Sequence, residues 1–305
     1  HLSIRRQRQM CIRDSIKGGR GFEGEAAEEP SILTSSRRKS ALLSSRPDLK
    51  NVLSIQKCKM SQPLESLSSK EYPGRLIILG RDPSGENEVA IYAITGRSPS
   101  SQARKLEREG DTIWAKPLDQ ELINQGNRNL LLYPAICLSQ GIAVSNGQQT
   151  ADIKAFLGQS QNPAEVLTSA LGRWDYEPDS PNFTPRISGC IISQRKAALG
   201  IVRRAADGSS ERSVFEIRLR ASWGKMIATY KGEDKDPLPS FRGGPLDVRI
   251  EKNNPRDVAE AVFKALEPKP DKKDYRVSVA CVFSENLSND EYEIFIINKH
   301  ERTIK

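Results

Sequence analysis

Histidine is nearly missing from this chain of 305 residues; the only two are His1 and His300. A Ser-His-Asp triad, a His-ligated zinc and a histidine general base are therefore not expected, and acid–base chemistry falls to carboxylates, Tyr, Lys or Cys. The five cysteines, Cys11, Cys58, Cys137, Cys190 and Cys281, are odd in number and form no CxxC pair. That argues against a disulfide framework and against a metal site. Cys137, Cys190 and Cys281 sit in apolar runs and read as buried free thiols of a reducing compartment. No apolar stretch approaches the roughly eighteen residues that cross a bilayer as a helix. Nothing matches GxGxxG or a Walker loop.

A single-sign charge excess is also missing from most of the chain. The formal net charge is +8, but residues 1–59 hold 13 Lys+Arg against 6 Asp+Glu, and the rest holds 34 against 33. A duplex-binding domain needs clustered cations, so the near-neutral body reads as no nucleic-acid partner. A local basic pocket for one phosphate stays open.

Residues 1–59 are read as a disordered leader or an artefact. RRQRQMCIRDS (Arg5 to Ser15) has no periodicity and resembles translated adapter sequence. Ser, Gly and charge dominate residues 16–59, as in disordered or targeting segments. Met60 offers a start, and the domain is placed over 60–305.

What is present beyond Met60 is strand after strand. RLIILG and EVAIYAI are joined by the turn DPSGEN, and DTIWAKP, NLLLYPAICLS and GIAVSNG come next. NPAEVLTSALGRW predicts a helix, with Asn162 as N-cap, Pro163 at the first position and apolar residues at helical spacing. Strands at RISGCIIS, AALGIVR, SVFEIRLR and KMIATYKG precede a second helix over Pro255 to Leu266, capped by Asn254. YRVSVACVF and EYEIFIIN close the chain. This inventory is α+β with largely antiparallel sheet.

Six polar constellations lie where strands end. TGRSPSSQARK (Thr95 to Lys105) offers Arg97 and Arg104 to a phosphate, or is an ordinary charged loop. Tyr133-Pro134 interrupts an apolar strand, where a Tyr is usually a satisfied core residue. VSNGQQTADI (Val144 to Ile153) reads as a hairpin or a strand-to-helix turn around Asn146-Gly147. The densest is RWDYEPDSPNFTPRISG (Arg173 to Gly189), which gathers Asp175, Glu177 and Asp179 beside Asn182, Thr184 and Arg186 on a Pro-restricted loop. That suits a site or an exposed acidic turn. IATYKG (Ile227 to Gly232) and PLPSFRGGP (Pro237 to Pro245) read as structural loops.

Taken in order, these segments resemble the archaeal-type IMP cyclohydrolase family. The match runs from Tyr-Pro-Gly-Arg (Tyr72 to Arg75) through Gly-Arg-Ser (Gly96 to Ser98), Tyr133 and Val-Ser-Asn-Gly (Val144 to Gly147). It continues in Asp175 to Ile187, Leu-Gly-Ile-Val-Arg, Ile-Ala-Thr-Tyr and Pro-Leu-Pro-Ser-Phe. The resemblance implies a four-layered αββα sandwich like that of N-terminal-nucleophile hydrolases. It implies closure of 5-formamidoimidazole-4-carboxamide ribonucleotide to inosine monophosphate with loss of water, in the cytoplasm.

On that resemblance the candidate catalytic residues are Glu177 for proton transfer, Asp175 as its alternative, Tyr133 as a donor to the formyl oxygen or a stacking group near the base, and Arg97. The candidate substrate-binding residues are Arg97, Arg104, Asn146, Asn182, Thr184 and Arg186. No metal and no organic cofactor is expected. The expected partner is a small-molecule purine-precursor ribonucleotide, with no nucleic acid and no membrane, and a homo-oligomer is left open. The competing readings are an amidohydrolase on the same scaffold and a non-catalytic purine-nucleotide-binding protein.

Overall fold

Alternation of side chains along the strands organises the molecule. The computed structural model describes residues 64–192, 195–289 and 291–302; the leader expected over 1–59 and the start at Met60 lie outside the described residues. Among these residues the chain is α+β, with two antiparallel sheets. One sheet has the order β11-β10-β1-β2-β12-β13. Its strands are β1 (Arg75–Arg81), β2 (Glu88–Thr95), β10 (Trp223–Ala228), β11 (Leu246–Arg249), β12 (Arg276–Ser284) and β13 (Glu293–Asn298). The other runs β3-β4-β5-β6-β7-β8-β9. It comprises β3 (Arg104–Glu109), β4 (Thr112–Pro117), β5 (Tyr133–Leu138), β6 (Ile142–Ser145), β7 (Arg186–Ile192), β8 (Lys196–Arg204) and β9 (Ser210–Arg218).

The seven-stranded sheet shows the two-residue period plainly. Ile142, Val144, Ile187, Ile191, Leu199 and Ile201 join one core with Leu76, Ile78, Ile91 and Val279 of the other sheet. Their neighbours Ala143, Cys190, Ala198 and Val202 turn the opposite way, into a second core with Ile153, Val166, Leu167 and Leu171. Those last four belong to the helices α1 (Gln149–Phe156) and α2 (Pro163–Leu171). Helix α3 (Pro255–Ala265) packs on the six-stranded sheet through Val258, Ala259, Val262 and Phe263. The sheets approach closely at Gly189, where an added Cβ would lie 3.0 Å from Leu79 Cδ1.

The caps form as the sequence predicts. Asn162 Oδ1 accepts from Ala164 N, and Asn254 Oδ1 accepts from Asp257 N; each is followed by Pro at the first turn. The DPSGEN turn closes on Asp82, whose carboxylate accepts from Ser84 Oγ, Asn87 Nδ2 and the backbone N–H groups of Gly85, Glu86 and Asn87.

Two segments differ from the sequence reading. Arg104 and Lys105, read as loop, open strand β3. Its outward Glu107 pairs with both Lys105 and Lys116, while Arg104 and Leu106 are buried. Charge on one face hid the alternation. NLLLYP is not one strand: Arg128–Leu131 makes a helical turn, and the strand starts at Tyr133. Pro134 is tolerated because the β4–β5 register slips there by a bulge. That slip places Tyr133 and Ala135 in the same inter-sheet core as Ile136 and Leu138.

Candidate active site

Polar side chains that have no place in an apolar interior gather where the two sheets meet. Arg75, the first residue of β1, is 8% exposed, and Glu177, on the loop feeding β7, is 2% exposed. Arg75 Nη2 donates to Glu177 Oε1 at 2.8 Å and Oε2 at 3.0 Å. Asn146, at the end of β6, donates from Nδ2 to Glu177 Oε1 at 3.0 Å. The Glu177 loop is closed by its own backbone: Glu177 N–H donates to Thr184 O at 2.9 Å. Asp179 takes Thr184 N–H at 2.6 Å and its hydroxyl, and that hydroxyl also meets Tyr230 OH.

A pair of phenols spans the sheets beside this cluster. Tyr92 of β2 and Tyr133 of β5 are fully buried, with their hydroxyls 2.8 Å apart. Arg104 Nη1 lies 3.5 Å from Tyr133 OH. Arg75 is within electrostatic range of Tyr133, Tyr92 and Tyr230 as well as Glu177, which makes the two groups one cluster.

The electrostatics follow from burial. Desolvation pushes the Glu177 carboxyl above its ordinary value, against the pull of Arg75 and Arg186. On Arg75 the burial penalty is outweighed chiefly by Glu177, so its guanidinium stays charged. Burial lowers Arg186 from its usual value, with Glu177 opposing. Burial likewise raises Tyr92 and Tyr230, as a phenolate there would be poorly solvated.

Of the residues picked from sequence, Glu177, Asn146, Thr184, Arg186, Tyr133 and Arg104 converge here. Arg186 donates from Nε to Asp175 O at 2.7 Å and from Nη1 to Gln149 Oε1 at 3.2 Å, and its guanidinium stacks 4.8 Å over the Trp174 ring. Asp175 contributes only that carbonyl. Its side chain is 75% exposed and pairs with Arg212. Asn182 braces a neighbouring loop, its Oδ1 accepting from Leu238 N at 2.9 Å.

Arg97 lies at the rim. Its guanidinium reaches Lys235 O at 3.2 Å and Asp234 and Asp236 at 3.5 Å. Tyr72 stacks on Tyr230, centroids 5.7 Å apart. Arg75, Tyr92, Gln149 and Tyr230 received no role from sequence. Arg75 stood in the Tyr-Pro-Gly-Arg motif, but nothing local signals a partner 102 positions away. An apolar cavity of about 410 Å³ lies elsewhere, lined by Leu64, Val248, Ile250, Val258 and Val262; none of the polar cluster borders it.

The fold and the site define an α+β protein with two antiparallel sheets and a buried Arg–carboxylate–amide–phenol cluster between them. Among the described residues no group of His, Cys, Asp and Glu is placed to hold a metal ion, and no helix is long and apolar enough to cross a membrane. The model of the IMP cyclohydrolase-like protein family matches residues 72–288, a span that includes every residue of the cluster. The chain belongs to that family. It is 32% identical over 117 residues to the IMP cyclohydrolase of Methanopyrus kandleri, an alignment covering 38% of this chain and 57% of that protein.

Proposed function

We propose that this chain is an IMP cyclohydrolase, closing 5-formamidoimidazole-4-carboxamide ribonucleotide to inosine monophosphate with loss of one water. The observation that carries the reading is the Arg75–Glu177–Asn146 cluster beside the Tyr92–Tyr133 pair, inside the span that the family model covers. The reaction joins a poorly nucleophilic carboxamide nitrogen to a formyl carbon. It needs the two arms brought together, a proton taken from nitrogen, a donor for the developing oxyanion and a proton for the departing oxygen.

Each demand has a matching group. Glu177 takes the proton from nitrogen and, once protonated, returns it to the departing oxygen, which leaves as water. Oε1 already accepts two donors, which leaves Oε2 with the spare lone pair. Burial raises its proton affinity, as a general base requires. Tyr133 donates to the formyl oxygen, backed by Tyr92 and Arg104. Arg97, Arg104 and Arg186 are the permanently charged groups for the 5′-phosphate or the oxyanion. Asn146 and Thr184 serve the carboxamide or ribose. Asn182 does so only through the loop that it braces, and Asp175, turned to Arg212, is the weaker choice for proton transfer. The fold is read as the four-layered αββα sandwich of N-terminal-nucleophile hydrolases, with helices α1 and α2 outside one sheet and α3 outside the other. The domain is placed over 60–305, and the setting is the cytoplasm.

The test is to offer the formyl ribonucleotide to the purified full chain and monitor the ultraviolet spectrum and products. Inosine monophosphate is expected. Release of formate would replace this reading by an amidohydrolase, and binding of inosine monophosphate without turnover would replace it by a nucleotide sensor.

A further inference from the structure

Gln149 opens helix α1 and is completely buried, yet ring closure gives it no task. Its amide is held at both ends. Nε2 donates to Asn146 Oδ1 at 3.1 Å, and Oε1 accepts from Arg186 Nη1 at 3.2 Å. Asn146 is equally engaged: Oδ1 also takes the Ile187 N–H at 2.7 Å, and Nδ2 donates to Pro185 O and Glu177 Oε1, both at 3.0 Å. The two ends of an asparagine amide are almost alike in shape, so its partners decide which end faces a neighbour. Here two donors demand the oxygen on one side, and two acceptors demand the nitrogen on the other.

We propose that Gln149 is a positioning residue, which together with the Ile187 N–H and the Pro185 carbonyl clamps the Asn146 amide in place, so that Glu177 keeps a well-aimed N–H contact. The inference rests on Glu177 being the proton-transfer group. A carboxylate facing that N–H is stabilised in its charged form, and one that loses the contact would hold its proton more tightly. Arg186 completes the chain of contacts. It is permanently charged and fixes the orientation of Gln149 by requiring an oxygen. Gly147 gives a second, independent sign of the same arrangement. A Cβ there would lie 2.5 Å from Gln149 Oε1 and 2.8 Å from Arg186 Nη1. The Asn-Gly-Gln-Gln run thus leaves room for one side-chain contact. The charged groups acting on Glu177 are Arg75 from β1, Arg186 from β7 and Asp179 from its own loop; Gln149→Met alters none of these charges.

The experiment compares the full chain with Gln149→Met by two readouts that need no turnover. These are hydrogen exchange of the Asn146 side-chain amide and carbon-13 titration of the Glu177 carboxyl, assigned with Glu177→Gln. In Gln149→Met the Asn146 amide should exchange about tenfold faster. The Glu177 midpoint should rise by about half a pH unit or more, and the acid limb of kcat should move with it. A folded Gln149→Met with both readouts unchanged would overturn the proposal, even if its activity fell. Should that variant not fold, Gly147→Ala strains the same contact from outside the amide network and must shift both readouts the same way. A chain that shows these shifts but makes no inosine monophosphate would refute the functional reading and leave the positioning contact intact.

Discussion

Arg75 and Glu177 grip each other across the gap between the two sheets, one guanidinium nitrogen reaching both carboxylate oxygens at 2.8 and 3.0 Å. A pair this deeply buried loses its hydration, and its stability depends on both members being present. Arg75→Met strands a buried carboxylate and should cost about 3–5 kcal/mol in denaturant unfolding. Arg75→Met combined with Glu177→Met should recover much of that loss while abolishing turnover. A double variant no more stable than the single one would mean that Arg75 supports the fold by some route other than Glu177.

Glu177→Gln keeps the shape and removes the titration. Turnover should fall by about a hundredfold or more, the usual contribution of a general base. In the parent chain, activity should rise with pH through a midpoint above the ordinary glutamate value of 4.5, because burial raises this carboxyl. That limb should vanish in the variant. A pH–rate profile that keeps it would assign proton transfer to another group.

The two tyrosines make a separable prediction. Tyr133→Phe leaves the Tyr92 hydroxyl buried without its 2.8 Å partner, at a cost of about 1–3 kcal/mol. It should also lower kcat by about a hundredfold if Tyr133 is the oxyanion donor. Tyr92→Phe removes the backing hydroxyl but not the donor, so its effect on kcat should be much smaller. Equal losses of kcat in the two variants would argue that the phenols act only as a structural bridge.

Arg97 tests the rim. Its ion pairs with Asp234 and Asp236 are long and partly exposed, so Arg97→Ala should cost under about 1 kcal/mol of stability. Its effect should appear as a raised KM for the ribonucleotide. An unchanged KM with lowered stability would make Arg97 a brace for the 234–236 loop.

How much of this could be read from the sequence depends on how local the cause is. The strands β1, β2, β7 and β12 were legible because both of their faces are buried, which forces continuous apolar runs. Helices α2 and α3 were legible because Asn162, Pro163, Asn254 and Pro255 mark their starts. The Glu177–Arg186 loop stood out by polar residues on a Pro-restricted segment. Arg75, Tyr92 and Gln149 did not stand out. Arg75 and Tyr92 are each one polar residue in an apolar strand whose partner comes from another part of the chain, and Gln149 stands in a polar run, three residues from its partner Asn146, where nothing marks which residues turn inward. Strand β3 was hidden because its outward face is all charge. The polar face of α1 was hidden because Gln149 and Thr150 turn inward, against the usual rule for such residues.

One turn that was legible carries a prediction about acid. Burial alone would raise the Asp82 carboxyl, but the donors from Ser84, Asn87 and Gly85 outweigh it and hold the group below its ordinary value of 3.8. The unfolded chain therefore binds this proton more readily than the folded one. The stabilisation is complete above the unfolded value, about 3.9, and is lost as pH falls through the lower folded value. Asp82→Asn keeps the size but gives up the charge-assisted bonds, so it should cost about 1–3 kcal/mol at neutral pH. Because the variant has no carboxyl to protonate there, its deficit relative to the parent should shrink as pH drops below about 4. Unfolding curves for both chains between neutral and acid pH decide the matter. A deficit that stays constant with pH would place the cost in lost geometry at the β1–β2 turn rather than in the charge.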